Sequence, residues 1–295
     1  MKKEIFFLLM LFTLIFASCS NDGAIGTTGA EVASEESVQP SGLEDLRGKI
    51  VSVNDSLMLH GTMSRGWWNR FLRRIMADAV GAMFGNLYGG PAGAVIGAAS
   101  FSVAAVANEY EANGQPDITQ CIVRDVDLNA NNYIPYTPNE STRNMLDSIG
   151  YYHNKAILEA YSQNKTISKD DLPKVLLEEV KKDMPYASDI SHIDTLAINT
   201  KYKRFIAIDK QYKGENLFEY TKHLNKNYPR NKVEINIISD FVEGLACAKL
   251  QECPSDYTEV VLKIIDESDI PAVTKQDLRN GVIVGYASSK LWKIK

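Results

Sequence analysis

Apolar and polar residues divide the chain into zones of different period. An apolar run from Ile5 to Phe16 follows Lys2 and Lys3 and closes at Ala17, Ser18 and Cys19. From Ser20 to about Gly48 the residues are Ser, Gly, Thr, Glu and Ala with almost no large apolar side chain. Such a composition cannot bury enough surface to order itself, so 19–48 is expected to be a disordered tether. Over 49–66, Ile50, Val51, Val53, Leu57 and Leu59 alternate with polar residues, which predicts a short strand or an extended arm. From Ala79 to Asn108 no residue is charged, and Gly81, Gly85, Gly89, Gly93 and Gly97 recur at every fourth position. On a helix this spacing keeps small residues on one slowly drifting stripe, where another helix can approach backbone to backbone. Gly89, Gly90 and Pro91 interrupt the run, because proline lacks a backbone donor and suits the first turn of a new helix. A helical hairpin, residues 67–88 and 91–110, is therefore preferred to a single kinked span.

Residues 111–136 are polar and rich in turn formers, which predicts an irregular linker. Helical periodicity then dominates 137–295. Thr137 with Glu140, Ser168 with Asp171, and Thr274 with Asp277 have the spacing of capping boxes. Amphipathic runs cover 172–184, 190–211, 217–227, 232–250 and 257–267, and a last helix covers 275–292. The fold class expected is all-α: a tether, a glycine-zipper hairpin, then an α-helical bundle large enough to hold its own core.

The first zone has the three-part layout of a secretory signal over 1–18. Its apolar run is shorter than the roughly 20 residues needed to span a bilayer. Small residues just before Cys19 resemble the lipobox of bacterial lipoproteins, with Phe16 where that motif usually has Leu. The resemblance implies cleavage before Cys19, acylation of Cys19, and a lipid-anchored protein of the bacterial envelope, expected at the outer membrane, with membrane lipid as its first partner. Removing Lys2, Lys3 and Glu4 makes the formal charge of −5 one unit more negative. An acidic chain of this kind is not a nucleic-acid binder by global charge.

Three cysteines remain. Cys247 and Cys253 are candidates for a disulfide if a helix ends near Gln251, and Cys121 reads as a buried thiol. Trp67, Trp68, Arg70, Arg73 and Arg74, placed before the uncharged zone, suit a bilayer interface, where indoles sit at headgroup depth and guanidinium groups meet phosphates. That zone therefore has three readings: a small-residue helical pair packed inside the protein, a membrane-inserting or self-associating element, and a flexible linker, which the regular register disfavours.

Reactive constellations are sparse. His153 shares a helical face with Leu146, Ile149, Ala156 and Ile157, and reads as a hydrogen-bonded core histidine rather than a general base. His60, His192 and His223 are isolated, and there is no HExxH, phosphate-binding glycine loop or GxSxG. Asp125 and Asp127 begin like a calcium loop, but Asn131 and Tyr136 occupy positions where Gly and Glu are needed. No catalytic residue, metal ligand or cofactor is expected. The segments 149–154, Ile270-Pro271 and 286–292 resemble a group of uncharacterised bacterial envelope proteins, in which a glycine-rich helical segment precedes an α-helical domain. That resemblance implies architecture and compartment only. The expected function is a non-enzymatic partner-binding or structural role, with a bacteriocin-like or pore-forming role as the alternative.

Overall fold

A computed structural model describes residues 40–58, 67–114, 118–133, 145–162, 167, 172–183, 194–212, 214 and 216–293. Among these the chain is all-α, with ten α-helices and no strand. In chain order they are α1 (Pro40–Met58), α2 (Trp67–Ala112), α3 (Ile118–Asp125), α4 (Met145–Ser162), α5 (Leu172–Asp183), α6 (Thr195–Gln211), α7 (Leu217–Asn227), α8 (Lys232–Leu250), α9 (Pro254–Glu267) and α10 (Ala272–Leu291). Two short 3-10 turns, Ala130–Tyr133 and Pro229–Asn231, join them.

The organising element is α2. It has small or apolar residues on every side and is correspondingly buried, packed by α10, α6, α4, α5 and α8. Gly89 and Gly90 break it into two limbs, and Gly90 has φ +54°, a left-handed conformation that favours glycine. Pro91 opens the second limb. The limbs fold back so that Gly85 faces Gly93 and Gly81 faces Gly97, pairs symmetric about Gly89. A Cβ on Gly81 would lie 2.5 Å from the Gly97 carbonyl oxygen, and one on Gly85 would lie 2.7 Å from the Gly93 carbonyl carbon. The limbs therefore touch main chain to main chain.

On the other side of the first limb lies α10, running antiparallel to it. Gly281 and Gly285 admit the approach: a Cβ on Gly281 would sit 3.1 Å from Ala79 O, and one on Gly285 would sit 3.5 Å from Ala79 Cβ. The α4 helix joins the same layer, with Gly150 against Ala287.

Several expectations are corrected. The region read as tether and extended arm contains α1, because Leu43, Leu46, Ile50, Val53 and Leu57 fall at helical spacing and pack this face on α8. Arg47 Nε donates to Asp240 Oδ2 at 2.7 Å and Asn54 Nδ2 donates to Asp240 O at 2.7 Å, fixing its register. The linker read over 111–136 holds α3, which buries Cys121 and Ile122 beneath it. The capping box assigned to Thr274 and Asp277 is not one. The α10 helix starts at Ala272 behind Pro271 with no side-chain cap, and Asp277 is buried on Asn86. The pairs Thr137/Glu140 and Ser168/Asp171 lie outside the described residues. Side-chain caps occur instead at Asp194, which accepts from Ala197 N, and at Asn216, which accepts from Glu219 N.

Candidate functional site

Just before its uncharged stretch, the first limb of α2 carries Arg73, Arg74 and Asp78, and each leads into a separate polar cluster. Asp78 is fully buried. Its Oδ2 accepts from Ser288 Oγ at 2.5 Å and from Trp292 Nε1 at 2.8 Å, both at the end of α10. Its Oδ1 lies 2.8 Å from His153 Nε2 on α4. His153 Nδ1 lies 2.9 Å from Asn154 Oδ1, while Asn154 Nδ2 donates to Ala287 O at 3.1 Å. That last bond fixes the amide, so both imidazole nitrogens face acceptors. His153 is thus held between the Asp78 carboxylate and the Asn154 amide oxygen.

Serine, histidine and aspartate are thus together, but in an order unsuited to acyl transfer. A nucleophilic serine needs a base that takes its proton, and here the Ser288 hydroxyl donates to the carboxylate instead of to the ring. His153, with both nitrogens committed, is also fully buried. The set welds α2, α4 and α10 together.

Arg73 and Arg74 point to different neighbours. Arg73 Nη2 donates to Asp209 Oδ2 at 2.6 Å and Nε donates to Oδ1 at 3.1 Å, a bidentate pair. Asp209 also accepts from Asn108 Nδ2 and Tyr220 OH, and Arg73 lies over the rings of Tyr212 and Tyr220. Burial opposes the charge on Arg73, but Asp209 outweighs it and raises its pKa further above the usual range. Burial and the Asp209 charge raise Tyr220 well above a normal phenol. Arg74 lies 3.0 Å from Glu109 and 2.9 Å from Asp125, over the Trp292 ring.

Of the residues expected at a membrane interface, Trp68, Arg73 and Arg74 are placed inside the fold. Trp68 is buried edge-on against Phe71, and the two arginines meet carboxylates inside the fold rather than phosphates outside it. Arg70 is exposed, 3.7 Å from Glu109. The side chain of Trp67 and all of Cys19 lie outside the described residues. Cys247 and Cys253 stand unbonded, and α8 ends where the expected pairing needs it to, with Gln251 as its C-cap. The α8 helix continues to Leu250, leaving Cys247 buried in its wall while Cys253 N-caps α9. Burial, with Glu243 nearby, raises the Cys247 thiol. Cys121 is a buried thiol.

Of the glycine stripe, Gly81, Gly85, Gly93 and Gly97 face one another within the chain, and Gly89 lies at the break. Elsewhere, Lys249 is lowered to about 8 by burial and by Lys290, and donates to Ser289 O. Among the described residues no cluster of three or more His, Cys, Asp or Glu side chains is placed to hold a metal ion. A cleft of about 410 Å³ opens between the second limb of α2, α5 and α6, lined by Ile96, Pro173, Lys174, Leu177, Leu196 and Asn199 among others.

No protein-family model matches the chain, and no curated protein or solved structure matches it. Sequence reasoning missed Asp78, Ser288 and Trp292 as one site with His153, because they lie 75 to 214 positions apart from their partners. The available signal was a lone aspartate at the edge of a thirty-residue uncharged helix, where an unpaired carboxylate is costly to bury.

Proposed function

We propose that the chain is a lipid-anchored, non-enzymatic protein of the bacterial envelope, at the outer membrane, whose helical domain has a binding or structural role. The observation that carries the non-enzymatic half is the closure of the Asp78 network. Its hydroxyl, imidazole and carboxylate are buried and hydrogen-bonded to one another, so Ser288 is not set up as an activated nucleophile. A fluorophosphonate probe is expected to leave the folded chain unlabelled, and labelling at Ser288 overturns this half. Support for the anchor comes from the Ala17-Ser18-Cys19 sequence behind a short apolar run. Mass spectrometry of the mature N-terminal peptide is expected to find acyl groups on Cys19, and Cys19→Ala is expected to release the protein from the membrane fraction.

A pore-forming role is the second reading. It is favoured by α2, which is long and apolar enough to cross a membrane, though most of it is covered by the rest of the chain. Insertion would require parting the glycine pairs and extracting Arg73, Arg74 and Asp78 from their partners. The glycine face would likewise reach a second copy only if the hairpin opened. Dye release from liposomes by the intact chain tests this reading, and no release from neutral or anionic vesicles removes it.

A further inference from the structure

We propose that Cys247 and Cys253 are a redox pair, which a disulfide donor oxidises to a bond stapling the end of α8 to the start of α9. The pairing rests on local geometry and goes beyond the binding or structural reading above. Only its setting in an oxidising compartment rests on export. Two independent observations bring the thiols together. The first is the way α8 ends. Cys253 N donates to Ala248 O at 2.9 Å, Glu252 N donates to Lys249 O at 3.3 Å, and Glu252 has φ 61°, in the left-handed region. Those two bonds and that left-handed residue make a Schellman turn, in which the side chain after the turn folds back onto the last turn of the helix. The residue after the turn is Cys253, and the positions it folds onto are Cys247 and Ala248. The second observation is the register of α9, which doubles back along α8. The Tyr257 ring stacks on Phe241 at 5.8 Å, and its hydroxyl stands where a Cβ on Gly244 would be. One turn back along α9 from Tyr257 is Cys253, and one turn on along α8 from Gly244 is Cys247. The next pair along the same seam is therefore the two cysteines.

Access sets the order of the reaction. Cys253 is partly exposed, whereas Cys247 is 7 % exposed and is held as a thiol by burial and the Glu243 charge. Cys253 is therefore the thiol that meets the donor. As a thiolate it attacks one donor sulfur, which forms a mixed disulfide and releases the other donor sulfur as a thiolate. Cys247 then loses its proton to water and attacks the Cys253 sulfur, which breaks the mixed disulfide and releases the second donor thiolate. Two thiols of the chain are oxidised and one donor disulfide is reduced to two thiols. The ring so closed contains Gln251, whose Nε2 donates to Leu57 O at 2.8 Å. Beside it, Tyr257 OH donates to Asn54 Oδ1 at 2.8 Å. The staple thus lies in the seat on which α1 docks.

The test uses the full folded chain carrying Cys19→Ser, reduced and then held in mixtures of oxidised and reduced glutathione, acid-quenched, alkylated and digested with trypsin. Cleavage after Lys249 separates the two cysteines, so the bond is read by mass spectrometry as two joined peptides that part on reduction. Those peptides are expected, with Cys121 alkylated. Cys247→Ser is expected to retain glutathione on Cys253, and Cys253→Ser to take up none at Cys247. The internal bond is expected to withstand at least about tenfold more reduced glutathione than the mixed disulfide on Cys247→Ser, because the attacking thiol is held beside its target. The proposal is overturned if the joined peptides form only in denaturant, if the parent chain retains glutathione on Cys253, or if Cys253→Ser is modified at Cys247 as readily as Cys247→Ser is at Cys253. Acid-quenched alkylation of intact cells, with and without the signal segment 1–18, reports on export separately, so failure of one does not mimic failure of the other.

Discussion

The two ends of the α2 hairpin are held together by opposite means. Toward the tip, between Gly81 and Gly97, the limbs meet through bare main chain, with no side chain between them and no charge. Toward the root, Arg73, Arg74 and Asp78 each leave the helix to meet a distant acid or base inside the protein. The tip is specified by shape alone, and the root by electrostatics. Shape tolerates no added atom, whereas a polar cluster tolerates loss if all its members go together.

The largest effect is expected at the tip. A Cβ on Gly85 would lie well under 3.0 Å from the carbonyl of Gly93, and backbone cannot rotate away as a side chain can. Gly85→Ala must push the limbs apart and open every contact stacked outside them. Loss of more than ~4 kcal/mol is expected, read as failure to fold or a collapsed urea midpoint. A mild effect would mean that the limbs slide freely.

At the root, Asp78→Ala leaves His153, Ser288 and Trp292 without their shared acceptor. A cost of ~3–5 kcal/mol is expected, because three buried polar groups lose their partner at once. His153→Leu alone should cost a similar amount. Asp78→Leu with His153→Leu should recover part of the loss, because the uncompensated charge disappears. A double variant worse than the sum of the singles would show that the site works through packing, as the tip does.

Between these regions sits Asp277, which takes a hydrogen bond from Asn86 at 2.5 Å, while Asn280 donates to Asn86 Oδ1 at 2.8 Å. Burial pushes Asp277 up to about 7, against the Asn86 hydrogen bond and with help from the Glu234 charge. The folded state therefore binds this proton more tightly than the unfolded chain does. Its contribution is fully present below about pH 4, falls as pH rises toward 7 and stays lost above. Asp277→Asn is expected to match the parent at pH 4 and exceed it by ~2–4 kcal/mol at pH 8, measured by denaturant melts. Parallel pH profiles for the two proteins would place the titration elsewhere.

The glycine register was legible because it is local: a period of four with a Gly-Pro break needs no partner to be seen. The amphipathic helices α7 and α8 were legible for the same reason. The root was not. Arg73 and Arg74 next to tryptophans look the same whether phosphates or Asp209, Glu109 and Asp125 await them, and only the fold brings those acids near. The α1 helix was misread because Ile50, Val51 and Val53 alternate over a short window, while its true face runs from Leu43 to Leu57 and packs on a helix far along the chain.

The smallest prediction is the matched control for the first. Gly48 lies on the exposed side of α1, and a Cβ there would meet nothing within 4 Å. Gly48→Ala is the same chemical change as Gly85→Ala, with the steric term removed. What remains is the entropy glycine loses on entering a helix, so the variant is expected to be more stable by ~0.5–1 kcal/mol, or a few degrees in Tm. If Gly48→Ala instead destabilises, α1 has a neighbour on that face. The contrast between the two glycines would then measure crowding at both sites rather than backbone contact at one.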